Sequence, residues 1–502
     1  MAITKRGVIV SDVPTSLLPV IRADSGAIVP CGTAPVHSLP GFTFIAGGYK
    51  SVVNRPILCE IASDFTTQLG ESTDWASYDL MEVYDAAMIE NSVSPLIPIN
   101  VYDPFKHSRA ISIATAAVTA KKQVLIPNEV ILASLVVTGT AGVIYKQGID
   151  FSFAYDDPSL KTATLSIFTA SPMASELTVK LDFSTPDLTL ITNVDIIGGV
   201  DINGNYLGLE NVEKVYTITD IVPGTVICPK YEFDPAVIAA GNARAQSISN
   251  GRFRGVSCWG ADTTTVKKYE DLLVWKNSNN VVSAFEFCGW PLGGLGTAKK
   301  YHFSTILAVA MLVTDAKFNN IPYVSPSNKG IWVDRAILAD GTQIDMDLAQ
   351  SDAIENWGLV NIVNSNGWRL IGDFTCAYPV DTDVHDMWIP LRRMFNWLGN
   401  SLGLTLAQDI DLPGNKTTLG SIGLTIQQFG NSLVQEGACN TFRVRWLPAE
   451  NLAADVMAGI YKFHILWTPP TPIRTLDLLL EYDVAGLTAW ISQITISSSE
   501  SI

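Results

Sequence analysis

The chain of 502 residues is 47% hydrophobic and only 16% charged, enough apolar mass for a large core shared among several domains. Its 33 Lys+Arg against 49 Asp+Glu give a formal charge of -16, which repels phosphate backbones and anionic lipid and argues against direct nucleic-acid or membrane partners. The apolar run at 306–313 (ILAVAMLV) is too short to span a bilayer, and residues 1–10 (MAITKRGVIV) lack the h-region and cleavage site of a signal peptide, so folding in a cytoplasm is expected.

In chain order, residues 56–104 carry a short apolar run, helical spacing and a further strand, which predicts one β-α-β unit. Between 112 and 189 helical spacing disappears and short β-rich stretches (VLIPNEVILASLVVTG, DFSFAY, ATLSIF, LTVKLDF) alternate with turns such as YDDPS, predicting an inserted β-sandwich. After Asn203 and Gly204 the rhythm becomes strand GTVICP, helix DPAVIAAGNARAQSISNG, strand FRGVSCWG, helix TTVKKYEDLLVWKN, strand VVSAFEFCGW and helix YHFSTILAVAMLVTDAKF. Such alternation predicts a mainly parallel sheet with helices packed on it. Beyond Asn356 come further strands, a helix near 386–402 and another near 418–436. In the latter, Leu419, Ile422, Ile426, Phe429 and Leu433 recur at spacings of three and four before Gly437. Residues 462–484 (KFHILWTPPTPIRTLDLLLEYDV) read as two apolar strands hinged on Pro469, Pro470 and Pro472. In the second, Leu476, Leu478, Leu480, Tyr482 and Val484 share one face, and Thr475, Asp477, Glu481 and Asp483 mostly share the other. Prolines that fix φ and lack an N–H make the hinge a stiff spacer rather than a hairpin turn, so this strand is expected to pair away from its immediate neighbour.

Motifs that carry chemistry are sparse. The cysteines Cys31, Cys59, Cys228, Cys258, Cys288, Cys376 and Cys439 are widely spaced, without CxxC or zinc spacing, and read as buried thiols. GGLGTAKK at 293–300 matches neither a Walker loop nor GxGxxG. The five histidines are scattered; HFST at 302–305 reads as a surface or packing element, and VDTDVHD at 380–386 as turn and helix-capping acids. No catalytic, cofactor-binding or metal site is expected. An alternative left open is a cytosolic α/β enzyme with an unrecognised site.

The segments NGRFRGVSCWG (250–260), KYEDLLVWKN (268–277), IPYVSPSNKGI (321–331), GWRLIGDFTCAYPVDTDVHDMWIPLRRMFNWLGNSL (367–402) and YKFHILWTPPTPIRTLDLLLEYD (461–483) resemble the tail sheath proteins of contractile phage tails and tailocins, in that family's order. The most specific motifs are the PSNK turn at 326–329 and the AYP…D block at 377–386. The resemblance implies an α/β (α+β multidomain) architecture: an N-terminal arm (1–25), the first part of the α/β core (26–111), an outward-facing β-sandwich (112–190), a subtilisin-like central domain (191–355), a C-terminal sheath domain (356–470) and a C-terminal arm (471–502). It further implies a structural subunit, not an enzyme, of hexameric rings stacked around an inner tail tube, meeting baseplate and tail terminator proteins and contracting to drive the tube through the host envelope. The setting implied is a virion tail assembled in a bacterial cytoplasm. Sheath arms add strands to neighbouring subunits, which assigns inter-subunit pairing to Val8, Val10, Leu476, Leu478, Leu480 and Tyr482, with VPTSLLPV (13–20) as a spacer. Arg392 and Arg393 are candidates for ionic contact with the tube. Cys31 and Cys439, expected near subunit boundaries, are candidates for an inter-subunit disulfide after release into an oxidising medium.

Overall fold

The computed structural model describes residues 21–23, 26–39 and 52–494. At its centre is an eight-stranded sheet in the order Lys329–Gly330, Trp368–Ile371, Val360–Asn364, Glu286–Trp290, Val256–Gly260, Thr225–Ile227, Ile28–Gly32, Ile99–Asn100. From Val360–Asn364 to Ile99–Asn100 every pairing is parallel, and the other two strands close that edge antiparallel. The inner strands IVPCG, TVI, VSCWG and EFCGW are buried at every position, as parallel strands covered on both faces should be. The helices Pro235–Gln246 and Phe303–Ala316 pack on this sheet. Gly241 lets the first approach closely, because a Cβ there would lie 2.5 Å from the Trp259 ring.

Two expected boundaries move. The β-α-β unit starts at Ile28–Gly32, which pairs in parallel with Ile99–Asn100, whereas Pro56 and Cys59 make only isolated antiparallel bridges to Ile99 and Leu96. Proline at the head of that apolar run removes a ladder donor. The division expected at 355/356 falls inside the sheet, since Val360–Asn364 pairs with Glu286–Trp290 and Trp368–Ile371 pairs with it in turn.

The inserted unit is two antiparallel sheets, one of Ser108–Ala117, Thr178–Pro186, Val136–Gly139 and Ile144–Tyr145, the other of Gln123–Ile126, Ala163–Ile167 and Phe151–Tyr155. Their inward residues, including Val124, Ile126, Val137, Leu165, Leu181 and Phe183, form a core of their own. Tyr78 Oη donates to Glu129 Oε1 at 2.7 Å and Lys161 pairs with Asp74 at 3.0 Å, so polar contacts seat the unit on the central domain.

A third core gathers Met394, Trp397 and Leu398 of the helix Ile389–Leu406 with Ile426, Phe429 and Leu433 of the helix Lys416–Gln435. Asn415 caps the second helix by accepting from the N–H groups of Thr417 and Thr418, and Gly437, at φ 76°, stands just past its end. The segment 21–23 is held against the first helix: Trp397 Nε1 donates to Ala23 O at 2.9 Å and Ala23 N–H donates to Ser401 Oγ at 3.0 Å. Nearly 380 residues of sequence separate these partners, so residues 21–23 are clamped beside the C-terminal elements.

Candidate assembly surfaces

The C-terminal elements end in an antiparallel ribbon, Thr441–Arg445 against His464–Thr468, with Phe442 opposite Trp467 and Val444 opposite Ile465. The ribbon lies on the helix Lys416–Gln435, and Gly430 makes room for the Phe442 ring, 1.8 Å from where a Cβ would stand. In an antiparallel ladder alternate residues turn their N–H and C=O groups outward. Here the outward residues are Phe442 and Val444 on one edge, Ile465 and Trp467 on the other.

The two edges differ. Gln427 reaches up from the helix so that its Nε2 donates to Phe442 O at 3.1 Å and its Oε1 accepts from Val444 N–H at 2.9 Å. Its carboxamide occupies the groups that one residue of an added strand would take. On the opposite edge the main-chain N–H and C=O groups of Ile465 and Trp467 have no hydrogen-bond partner among the described residues. An uncovered strand edge is a template for another chain.

After the ribbon the chain runs along its own central domain as far as Arg474, whose Nη2 pairs with Glu355 at 2.7 Å and whose guanidinium lies 4.5 Å over the Phe374 ring. Burial pushes the Glu355 carboxyl above the ordinary range, and the Arg474 charge opposes that. From there the arm leaves the surface: Leu476, Leu478, Leu480 and Tyr482 are between 72% and 95% exposed. No strand partner is described for them. Val8 and Val10 lie outside the described residues.

Against known proteins, no family model matches. The chain is 23% identical over 494 residues to the tail sheath protein of Burkholderia phage BcepMu, covering 92% of this chain and 93% of that one. Among solved structures it is similar to the sheath of an extracellular contractile injection system, the PVC sheath complex in its contracted state, at TM-score 0.55 and 11% identity over 97% of this chain and 99% of that one. The anti-feeding prophage helical sheath in its contracted state gives TM-score 0.55 and 12% identity over 96% and 100%. The chain has the contractile sheath fold. The resemblance to tail sheath proteins holds along its length, and these relatives are structural proteins rather than enzymes.

Within the sheath fold, several expected site residues sit elsewhere than anticipated. Arg392 and Arg393 are buried, not exposed towards a tube. Arg392 Nη1 donates to Asp386 Oδ1 at 2.7 Å and its guanidinium lies 4.6 Å over Phe285, while Arg393 forks onto Asp315 across the helices Ile389–Leu406 and Phe303–Ala316. Two adjacent arginines on a helix resemble a surface patch in sequence, but here one anchors a helix start and the other joins two domains. Both charges are committed within the subunit, and reversing them would oppose the half-buried Asp386 and the buried Asp315 instead of loosening a surface contact.

Cys31 and Cys439 are buried as well, and every described cysteine is a free thiol. Cys31 lies in the central sheet; Cys439 Sγ is 2.8 Å from Thr441 O, and burial raises its pKa. A disulfide between copies would require both sites to open first.

GGLGTAKK is an antiparallel hairpin, Leu292–Leu295 with Lys299–Tyr301, and Lys299 is held by Asp85 and Glu90 at 2.9 and 2.6 Å. Lys299 is therefore spent on carboxylates, and Lys300 Nζ donates to Ala339 O at 3.0 Å. His302 is held by Glu82, its main-chain N–H donating to Glu82 Oε1 and its Nδ1 meeting Oε2, each at 2.6 Å. Glu232 accepts from the N–H groups of Phe303 and Ser304 at 3.3 and 2.9 Å. This buried carboxylate set fixes a helix N-terminus by satisfying its orphan donors.

Proposed function

We propose that this chain is the structural subunit of a contractile tail sheath: copies join by strand exchange into hexameric rings, the rings stack helically around an inner tube, and the stack shortens to drive that tube through a host envelope. The observation that carries this reading is the pairing, in one chain of sheath fold, of an uncovered strand edge at Ile465 and Trp467 with an exposed arm whose apolar residues alternate. A surface that fits a different surface on the next copy makes a heterologous contact, and repetition of such a contact builds an open helix or ring. Main-chain hydrogen bonds then hold the lattice while the bodies move, as in strand addition generally.

The same proposal gives the remaining parts their places. The β-sandwich, with its separate core, faces outward; the central parallel sheet is the subtilisin-like body; baseplate and terminator proteins cap the stack, and the particle is a virion tail assembled in a bacterial cytoplasm. Contraction draws on burial and pairing gained in the final lattice, so the extended state is held by a barrier and no nucleotide is consumed. Negative-stain microscopy of the purified protein tests the reading. Striated, hollow cylinders are expected; discrete particles at every concentration, stabilised by a small ligand, would replace it with the enzyme alternative.

A further inference from the structure

The β-sandwich meets the central domain through two adjacent chain crossings and a narrow polar seat. The crossings lie side by side: Ser108 and Pro186 face each other at the end of the ladder between Ser108–Ala117 and Thr178–Pro186, and just outside it Asp187 N–H donates to His107 O at 2.9 Å. None of the described residues from 108 to 186 belongs to the core of the central domain. Each side keeps its own core, and a polar interface of this kind leaves room for relative motion.

The seat has two points. At the first, the turn 157–161 of the sandwich rests on residues 72–74: Thr73 N–H donates to Pro158 O at 3.0 Å, Lys161 pairs with Asp74 at 3.0 Å, and Leu160 is buried although it belongs to no core. At the second, Glu129 of the sandwich reaches into a cup of the central domain formed by His37, Tyr78 and Tyr102, whose rings stand 5.8 to 6.1 Å apart. Tyr78 Oη donates to the carboxylate, but His37 Nε2, 3.1 Å from Glu129 Oε1, is not aligned for a hydrogen bond. His37 Nδ1 and Tyr102 Oη, also buried, have no hydrogen-bond partner among the described residues. Polar atoms held in this way are better solvated when the interface opens, and the Lys161–Asp74 pair is largely exposed, so the closed seat holds lightly.

We propose that the β-sandwich is a hinged module that lifts from the central domain as one rigid body about the paired crossings at 107–108 and 186–187, with Glu129 in the cup of His37, Tyr78 and Tyr102 as its catch. Lifting breaks the contacts of the seat and leaves both cores closed, which makes it a smaller opening than the unfolding of either side. The module can then change its tilt as its surroundings change, with the crossings absorbing the rotation. This device belongs to the single subunit and stands apart from the reading of assembly above.

The Thr73 amide reports the opening directly, because its donor stands on the central domain and its acceptor on the sandwich. Hydrogen exchange is followed at single amides in the purified full chain, at Thr73, along the sandwich strand Thr178–Pro186 and along the central strand Val256–Gly260. Glu129→Ala is expected to speed exchange at Thr73 roughly tenfold and to leave both strands unchanged. Glu129 and Thr73 belong to different points of the seat, so such coupling means that the seat opens as a unit. Tyr78→Phe keeps the ring and removes the one aligned hydrogen bond of the cup; it is expected to act in the same direction, and it decides the matter if Glu129→Ala misfolds. Unchanged or slower exchange at Thr73 in a folded variant removes the catch. Faster exchange at Thr73 accompanied by equal acceleration along Thr178–Pro186 would mean that the sandwich unfolds instead of lifting, and the hinge falls.

Discussion

Burial by itself would depress the basicity of His302, but the charge and hydrogen bond of Glu82, with Glu232 and Asp79 nearby, outweigh it and push its pKa up to about 9. The imidazolium is therefore favoured in the folded chain relative to the unfolded one, where the ordinary value is 6.5. Its contribution is fully present below pH 6.5 and is lost as pH rises through about 9. At about 1.4 kcal/mol per pKa unit this amounts to at most ~3 kcal/mol, and to less because solvent reaches part of the ring. The melting temperature is expected to fall between pH 7 and pH 9.5, and His302→Asn, which keeps a side-chain donor but cannot titrate, is expected to flatten that slope. An equal slope in both proteins would place the alkaline sensitivity elsewhere. In sequence, HFST gave only a histidine beside hydroxyls on a helix; Glu82 and Glu232 stand 220 and 70 residues upstream, and no local spacing announces them. Gln427 was hidden for a related reason, since its partners become visible only once the ribbon is folded over the helix.

The arm is where element-level reading both succeeded and fell short. Alternation at 476–482 marked an extended, two-faced segment, and the prolines marked a spacer. What alternation could not show is that the spacer is anchored at Arg474 or that a helix, Val484–Ser492, follows it. Leu487, Trp490 and Ile491 carry the three-and-four spacing of that helix, but they adjoin a strand pattern and merge with it. The anchor separates two truncations. A chain ending at Arg474 keeps the Glu355 pair and the contact with Phe374, so its melting temperature should match the full chain while assembly fails. Ending at Thr471 strips Glu355 of its cation and should cost a further ~1–2 kcal/mol, modest because Arg474 is partly exposed. Leu478→Pro removes one main-chain donor from an exposed segment and should impair assembly without changing monomer unfolding. Destabilisation of the monomer by Leu478→Pro would show that the segment belongs to its own subunit's fold.

At the scale of the whole molecule, the described body is closed and the C-terminal arm is open. The central sheet, the β-sandwich and the C-terminal helices each have their own core, and the Arg393–Asp315 pair and the Trp397–Ala23 hydrogen bond tie distant parts of the chain together. Periodicity made these bodies readable, because a core satisfies patterns written along one chain. Assembly is less readable, because half of each contact belongs to another copy. In the proposed lattice a body of this kind would move as a rigid unit, so contraction there would amount to repacking between subunits and not refolding within them. If the shortened lattice buries more surface, it is the equilibrium product, and the extended one exists only because a tube templates it and a barrier retains it. Purified protein without tubes should then form short, wide cylinders, whereas assembly on added tubes should give long, narrow ones that shorten once and do not recover. Magnesium-ATP and chelators should leave both outcomes unchanged. Tube-free cylinders in the long lattice, or shortening that requires nucleotide, would mean that the extended state is the ground state and that contraction draws on a source of energy outside the lattice.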